Sequence, residues 1–249
     1  MRLALLADLH ANREATEACV SKLRKLGFDR MVILGDIVGY GADPEWTVDT
    51  AQRMVADGAI AVHGNHDEAI WSPRGDDAPM HSHAQAAVAW TRDRLSASQV
   101  TFLSQLPVSV DDDDRLYVHA NAWAPKQWGY VANELAAAKS MAATAMRVTF
   151  CGHVHEPALY HSQSTGGARH FSPTPGIAVP LIGSRRWLAL PGSVGQPRDG
   201  HAAACCALYD TARHALTLLR VAYDHHAAAR KITQAGLPQA LAQRLIEGC

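Results

Sequence analysis

The sequence has no C-x-x-C pair, and its five cysteines (Cys19, Cys151, Cys205, Cys206 and Cys249) are odd in number. That excludes a thiolate zinc site of the usual spacing and a disulfide framework. No run approaches the roughly 18 apolar residues that a membrane-crossing helix needs. The opening M-R-L-A-L-L-A-D-L-H is too short for the apolar centre of a secretory leader, and Asp8 interrupts it. A surplus of either charge is also missing. Lys+Arg total 23 against 24 Asp+Glu, a formal net charge of −1, which leaves no bulk field to hold a long polyanion such as nucleic acid. These absences predict a reduced, cytoplasmic chain with no membrane and no long nucleic-acid partner, in which any metal is held by nitrogen and oxygen.

What is present is an ordinary globular composition over 249 residues, 48% hydrophobic and 19% charged. No linker, repeat or low-complexity stretch divides it, so a single domain over 1–249 is expected. The first part alternates strand and helix: a buried strand at 2–8, a helix from Asn12 to the Gly27 stop, a strand at 30–34, a helix at 44–57 and a short strand at 59–62. This rhythm predicts a mostly parallel sheet covered on both faces. Residues 82–105 read as helical with a break near Ser96. Segments 107–110 and 115–119 read as a hairpin turning at Asp111–Asp114, four acids too close together for metal-ligand spacing. A helix at 131–143, a strand at 147–151, short strands through 157–220 and two closing helices complete the expectation, with Pro- and Gly-rich breaks such as Ser164–Gly167.

One residue type is abundant, with fourteen histidines. Histidine is the commonest metal ligand and titrates near neutral pH. Five of them stand with other polar residues where strands are expected to end. The clusters are Asp8-Leu9-His10, Gly35-Asp36, Gly64-Asn65-His66-Asp67, the lone His119, and Gly152-His153-Val154-His155. Ligands of open α/β sheets bind beyond the carboxyl ends of the strands, so the clusters are expected to converge. On extended chain, residues i and i+2 project to one side, which would let Asp8 with His10, and His153 with His155, serve one site. The donors offered are imidazole nitrogen, carboxylate oxygen and amide oxygen. This set suits manganese, iron, zinc, cobalt or nickel and does not choose among them.

In this order the motifs D-x-H, G-D, G-N-H-D, a lone His and G-H-x-H resemble the calcineurin-like metallophosphoesterase superfamily. P-G-S-V-G-Q-P-R at 191–198 and A-G-L-P-Q-A-L-A-Q-R-L at 235–245 look like its small bacterial and archaeal phosphodiesterase-type members. The resemblance implies a four-layer α/β/β/α sandwich with two mixed sheets and a dinuclear metal site at the strand ends. It implies one metal on Asp8, His10, Asp36 and His155, and a second on Asp36, Asn65, His119 and His153, with Asp36 bridging. His66 would then be the catalytic histidine, a general acid to the leaving group of a metal-bridging hydroxide's attack. Two divalent ions against two carboxylates leave the implied site cationic, which suits a phosphate.

Asn121 and Arg198 are candidate substrate contacts. Their competing roles are a turn for Asn121 and an ion pair with Asp199 or another acid for Arg198. Asp67 would orient His66, meet solvent near the site or shape a local turn. Trp123, Trp128 and Tyr130 would stack a nucleobase, cover the site or pack down their own loop. His81, His83, His225 and His226 read as surface or capping residues, and Cys205 with Cys206 as core. The resembling protein phosphatases continue G-D with an aspartate and an arginine where this chain has Gly39 and Tyr40, which argues against a dedicated protein phosphatase. Leu190 and Ala120 replace a usual Asn and Gly, changes that would reshape the substrate side.

The function expected from all this is hydrolysis of small phosphate esters with two divalent transition-metal ions, phosphodiesters slightly preferred. The alternatives are a phosphomonoesterase acting on phosphoprotein, nucleotide or dinucleoside polyphosphate, and a non-catalytic scaffold on the same fold. Nothing in the sequence indicates an oligomeric state.

Overall fold

The structure, a computed structural model, describes residues 1–72, 81–164 and 166–249; position 165, inside the expected Ser164–Gly167 break, lies outside the described residues. Its strands are β1 (Arg2–Leu6), β2 (Arg30–Leu34), β3 (Ile60–Val62), β4 (Ser109–Asp112), β5 (Arg115–Val118), β6 (Val148–Phe150), β7 (Pro157–Ser162), β8 (Ala168–Phe171), β9 (Ala178–Pro180), β10 (Trp187–Pro191), β11 (Ala204–Asp210) and β12 (Ala215–Val221). The helices are α1 (Arg13–Leu26), α2 (Pro44–Ala56), α3 (Asn65–Trp71), α4 (Ser82–Arg92), α5 (Ala97–Gln105), α6 (Glu134–Ala142), α7 (His225–Gln234) and α8 (Gln239–Glu247). None of the described helices is long and apolar enough to cross a membrane.

The strands form two six-stranded sheets, ordered β3-β2-β1-β11-β12-β9 and β4-β5-β6-β10-β7-β8. The parallel expectation holds for β1, β2 and β3, though antiparallel β11, β12 and β9 complete that sheet, so it is not mostly parallel; β5, β6 and β10 are parallel as well. The remaining pairings are antiparallel, so both sheets are mixed. Later strands return along an edge of each parallel group as hairpins, which need no crossover helix.

Four layers follow from strand alternation. Leu3, Leu5 and Ala7 point from the first sheet into a core shared with Tyr117, Phe150, Leu159, Trp187 and Ala189 of the second. Ala4 and Leu6 face the other way, toward Cys19, Leu23, Val48 and Ala51 of α1 and α2. On the far side Leu116, Val118, Leu188 and Leu190 pack under Ala137 and Met141 of α6. Both faces of β1 and β2 are therefore buried, which is why they read as unbroken apolar runs. Cys205 and Cys206 are core residues, as expected. Leu190 is also core beneath α6, so it does not shape the substrate side.

Local signals set the helix ends. Asn12 caps α1 by accepting from the Ala15 N–H at 3.1 Å, and Gly27 closes it with a left-handed φ of 79°. The Ser96 break is a reciprocal cap, with Ser96 and Gln99 each taking the other's backbone N–H. The hairpin turn is shorter than expected: Asp111 and Asp112 stay in β4, and the chain reverses at Asp113–Asp114. Arg115, 4% exposed, ion-pairs with Asp112, Asp113 and Asp114, which is what three of the four acids do here.

Phe150 is fully buried between the sheets, its ring 5.8 Å from that of Tyr117 and 5.3 Å from that of Tyr209. Phe150→Ala is expected to cost about 3–5 kcal/mol of stability. Leu135→Ala, at a position 81% exposed, should stay within about 0.5 kcal/mol of the parent. Urea unfolding of both variants checks the pair.

Candidate metal centre

Every expected cluster lies just beyond the carboxyl end of its strand: Asp8 and His10 after β1, Asp36 after β2, Asn65 and His66 after β3, His119 after β5, and His153 and His155 after β6. The first three strands belong to one sheet and the last two to the other. The site therefore forms where the parallel parts of both sheets end together. Asp8, His10, Asp36 and His155 each present a donor atom within 4.8 Å of the others, as do Asp36, His119 and His153. Asn65 joins the second set, its Oδ1 3.2 Å from His119 Nε2.

The backbone reaches this arrangement differently from the sequence expectation. Asp8 and His10 are not an extended i, i+2 pair. They have left-handed φ of 54° and 47°, and His153 and His155 have 69° and 68°. The loop after β1 is bonded along the loop after β2, with His10 N–H donating to Asp36 O at 2.9 Å and Ala11 N–H to Ile37 O at 3.0 Å. Holding both loops in register bends the chain so that consecutive polar side chains turn inward. A left-handed residue other than glycine costs of order 1–3 kcal/mol, and Asp36 and Tyr40 add two more, at 51° and 62°. Asn65 and His66 likewise do not end a strand; they open α3.

Asp67 resolves its three-way reading. It is fully buried, and its Oδ1 accepts from the backbone N–H groups of Ile37 and Val38 while Oδ2 accepts from that of Gly64. It ties the loop after β2 to the start of α3 and so sets Asp36 against His66, whose own N–H donates to Asp36 Oδ1 at 2.9 Å. Gly64 is needed at this junction because a Cβ there would run into Asp36 Oδ1. Two further bonds join the sheets: His153 N–H donates to Asp8 Oδ1 at 2.9 Å, and His119 Nδ1–H to Leu34 O at 2.8 Å.

The donor chemistry tests whether cations fit. A backbone carbonyl can only accept, so a ring nitrogen bonded to one carries the proton. His10 Nδ1 bonds Val38 O, and His155 Nδ1 bonds Gln196 O. Their Nε2 atoms are thus both lone-pair nitrogens, and they face each other at 3.0 Å. In the second set His119 Nδ1 is committed to Leu34 O and His153 Nε2 to Trp128 O. That leaves His119 Nε2 facing His153 Nδ1 at 3.1 Å and Asp36 Oδ2 at 3.3 Å. Acceptors aimed at acceptors repel unless a positive charge lies between them, so both sets fit a cation.

The titration tendencies agree. Burial pushes His10 and His155 well below the usual histidine range, so a proton does not serve the first set. Burial and the charge of His119 push His153 down to about 3. Burial also depresses His119, but the Asp36 and Asp8 carboxylates outweigh it and lift the ring to about 9, where a proton takes the cation's place. Burial raises Asp8 to about 7. It raises Asp36 too, yet His119 and His66 hold that carboxyl well below its ordinary value.

His66 lies beside both sets without joining either. Its ring centre is 4.9 Å from that of His10 and 4.4 Å from that of Tyr40. Nδ1 is enclosed with no hydrogen-bond partner and faces Gly39, where a Cβ would stand 2.5 Å away. Nε2 has no partner among the described residues. Burial lowers the ring to about 4.

Asn121 takes the turn role: it is fully buried, its amide donating to Gly129 O and accepting from Ala124 N–H. Arg198 does not pair with Asp199, which bonds Arg220 instead; its guanidinium meets Gln196 Oε1 at 2.8 Å and Tyr40 OH at 3.4 Å. The aromatic loop divides its tasks. Trp123 packs against the α6 core beneath Lys139. Trp128 fixes His153 through its carbonyl and bonds Glu68 through its indole N–H. Tyr130, 55% exposed, stacks on His153 with ring centres 4.1 Å apart. His81 stands exposed at the N-cap position of α4 without a side-chain capping bond, and His83, His225 and His226 do not enter the centre. Sequence reading missed the carbonyls of Leu34, Val38, Gln196 and Trp128 that fix the tautomers. Every residue has a carbonyl, so no residue type signals this role.

Comparison with known proteins follows the same outline. The family model of the calcineurin-like phosphoesterase superfamily domain matches residues 1–214. A metallophosphoesterase from Sphaerobacter thermophilus is 32% identical, with both chains fully covered and a TM-score of 0.87. A hypothetical protein from Pyrococcus horikoshii is 19% identical over 100% of this chain and 98% of its own, with a TM-score of 0.81; at that identity it shows the fold alone. An uncharacterised protein of Methanocaldococcus jannaschii is 29% identical over 99% of this chain and 98% of its own.

Asp36 is common to both donor sets, so Asp36→Asn is expected to lower divalent-ion content by a larger factor than Asn65→Ala, which touches one set. Elemental analysis after manganese loading and dialysis measures both, and full occupancy in Asp36→Asn would refute the shared role. Asp67→Ala strands three buried N–H groups, and a cost of about 2–4 kcal/mol is expected in thermal or urea unfolding.

Proposed function

The chain belongs to the calcineurin-like phosphoesterase superfamily, and from that we propose that it hydrolyses small phosphate esters with two divalent ions. Asp8, His10, Asp36 and His155 hold one ion, and Asp36, Asn65, His119 and His153 hold the other. The observation that carries this reading is the pair of donor sets meeting at Asp36, with the buried His66 ring beside them. Two such ions polarise phosphoryl oxygens and lower the pKa of water enough to supply hydroxide near neutral pH.

The chain's own residues provide the rest. His66 hands a proton from Nε2 to the departing alkoxide. Burial by itself favours its neutral ring, and the negative charge of a bound phosphate acts in the opposite sense. Asp67 and the His66 N–H···Asp36 bond keep that ring at the edge of the donor sets. Tyr40 walls it on one side, its OH half of a contact with Arg198.

Manganese is the first candidate metal, with iron, zinc, cobalt and nickel served by the same donors. Five free cysteines are consistent with a reducing, cytoplasmic setting. Phosphodiesters stand ahead of monoesters on the resemblance of residues 191–198 and 235–245 to phosphodiesterase-type sequences. The monoester alternative is favoured by Arg198, whose charge suits a dianion. A non-catalytic scaffold is disfavoured, since every ligand and His66 are retained.

With manganese present, His66→Ala is expected to lower kcat about 10²- to 10⁴-fold on p-nitrophenyl and bis-p-nitrophenyl phosphate, with metal content unchanged. Turnover that survives on both esters with the ions still bound would remove His66 from the mechanism.

A further inference from the structure

We propose that Arg198 is the side chain that grips the phosphate, held in place for that task by Gln196 and Tyr40. The inference rests on the phosphoester reading and adds the residue that recognises substrate charge.

The first observation is a cation without a counter-ion. Arg198 is half-buried and has no carboxylate within ion-pair distance among the described residues. Its Nε and Nη2 both donate to Gln196 Oε1, at 3.2 and 2.8 Å, and Nη2 also reaches Tyr40 OH at 3.4 Å. Two other half-buried arginines contrast with it: Arg220 pairs with Asp199 and Arg147 with Asp114. A partly desolvated guanidinium met only by neutral acceptors keeps most of its charge for an incoming anion.

The second observation is where that cation is anchored. Gln196 O accepts from His155 Nδ1 at 2.7 Å while its side chain holds Arg198. The Arg198 N–H donates to His155 O at 3.3 Å. One short segment thus positions a donor of the first set and the guanidinium together. On the opposite side the Arg198 guanidinium lies 5.8 Å from the Tyr40 ring centre, and that ring is 4.6 Å from His10 and 4.4 Å from His66. Gln196 is 1% exposed and its Nε2 has no partner, so the amide serves Arg198 through its oxygen alone.

Electrostatics then favours one ligand class. A guanidinium beside two cation sets would be repelled by the ions those sets would hold. An anion bound between them reverses the sign of the interaction. A planar guanidinium matches the paired oxygens of a phosphate, and the attraction grows with the charge on that phosphate. A monoester dianion therefore gains more from Arg198 than a diester monoanion does.

R198A and R198K test this in the manganese-loaded protein. Calorimetric titration with inorganic phosphate should show affinity falling roughly ten- to a hundredfold in R198A, with R198K between it and the parent and metal content unchanged in both. On the two nitrophenyl esters, R198A should lose several-fold more kcat/KM on the monoester than on the diester, mainly through KM. A merely structural role would lower both esters equally and release metal. Unchanged phosphate affinity, equal losses on the two esters, or loss of metal would each overturn the assignment. If the parent turns over neither ester, the phosphoester reading fails, and the phosphate titration still decides whether Arg198 holds the anion.

Discussion

The constraint on which the rest depends is that lone pairs face lone pairs. His10 and His155 present unprotonated nitrogens to each other at 3.0 Å, and the neutral ring of His119 would do so to His153 at 3.1 Å. Each ring is held there by a carbonyl that takes its other proton: Val38, Gln196, Leu34 and Trp128. No ring can turn away without stranding a buried N–H, so rotation of the rings does not relieve the repulsion. A protein with nothing to gain from such an arrangement would keep the acceptors apart. Here the two sets are built to accept positive charge between them, and the proposed phosphate chemistry would follow from that charge.

Holding the arrangement requires a stiff frame. Seven left-handed residues other than glycine lie in the loops that carry the donors and their immediate neighbours: Asp8, His10, Ala11, Asp36, Tyr40, His153 and His155. Their strain is offset by bonds that over-determine the loops: Asp67 on three backbone N–H groups, Asp8 on His153 N–H, and the register between the loops after β1 and β2. The two-sheet core behind them, with Tyr117, Phe150 and Tyr209 packed ring to ring, sets the distance between the strand ends. Two sheets brought to one spacing place five loops around one centre.

Around that frame the chain departs from the protein phosphatase pattern in a coherent way. Gly39 leaves no side chain next to His66 Nδ1, and nothing else bonds that nitrogen. Tyr40 fills the neighbouring space with a ring rather than a cation. The cation arrives instead from the segment after β10, as Arg198, and meets the Tyr40 hydroxyl. On the far side, Tyr130 and Trp128 are occupied with His153, one by stacking on its ring and the other through its carbonyl. The aromatic loop is thus a support for His153 before it is anything else.

Much of this was legible in the sequence because it rests on residue types that few other roles require. Buried apolar runs marked β1 and β2, Asn12 and Gly27 marked the ends of α1, and the order of D-x-H, G-D, G-N-H-D, His and G-H-x-H named the donors one by one. What sequence spacing misjudged was conformation. Extended pairs became left-handed turns, the G-N-H-D stretch opened a helix, Asp67 became a backbone clamp, and Asn121 was spent on its own loop. Those outcomes depend on which backbone groups from distant loops need a partner, and that is settled only when the sheets close. The sequence by itself determined which atoms are available to bind a cation and a phosphate. Only the tertiary structure decided that the acceptors face each other, that backbone carbonyls lock their tautomers, and that Arg198 stands beside them without a carboxylate of its own.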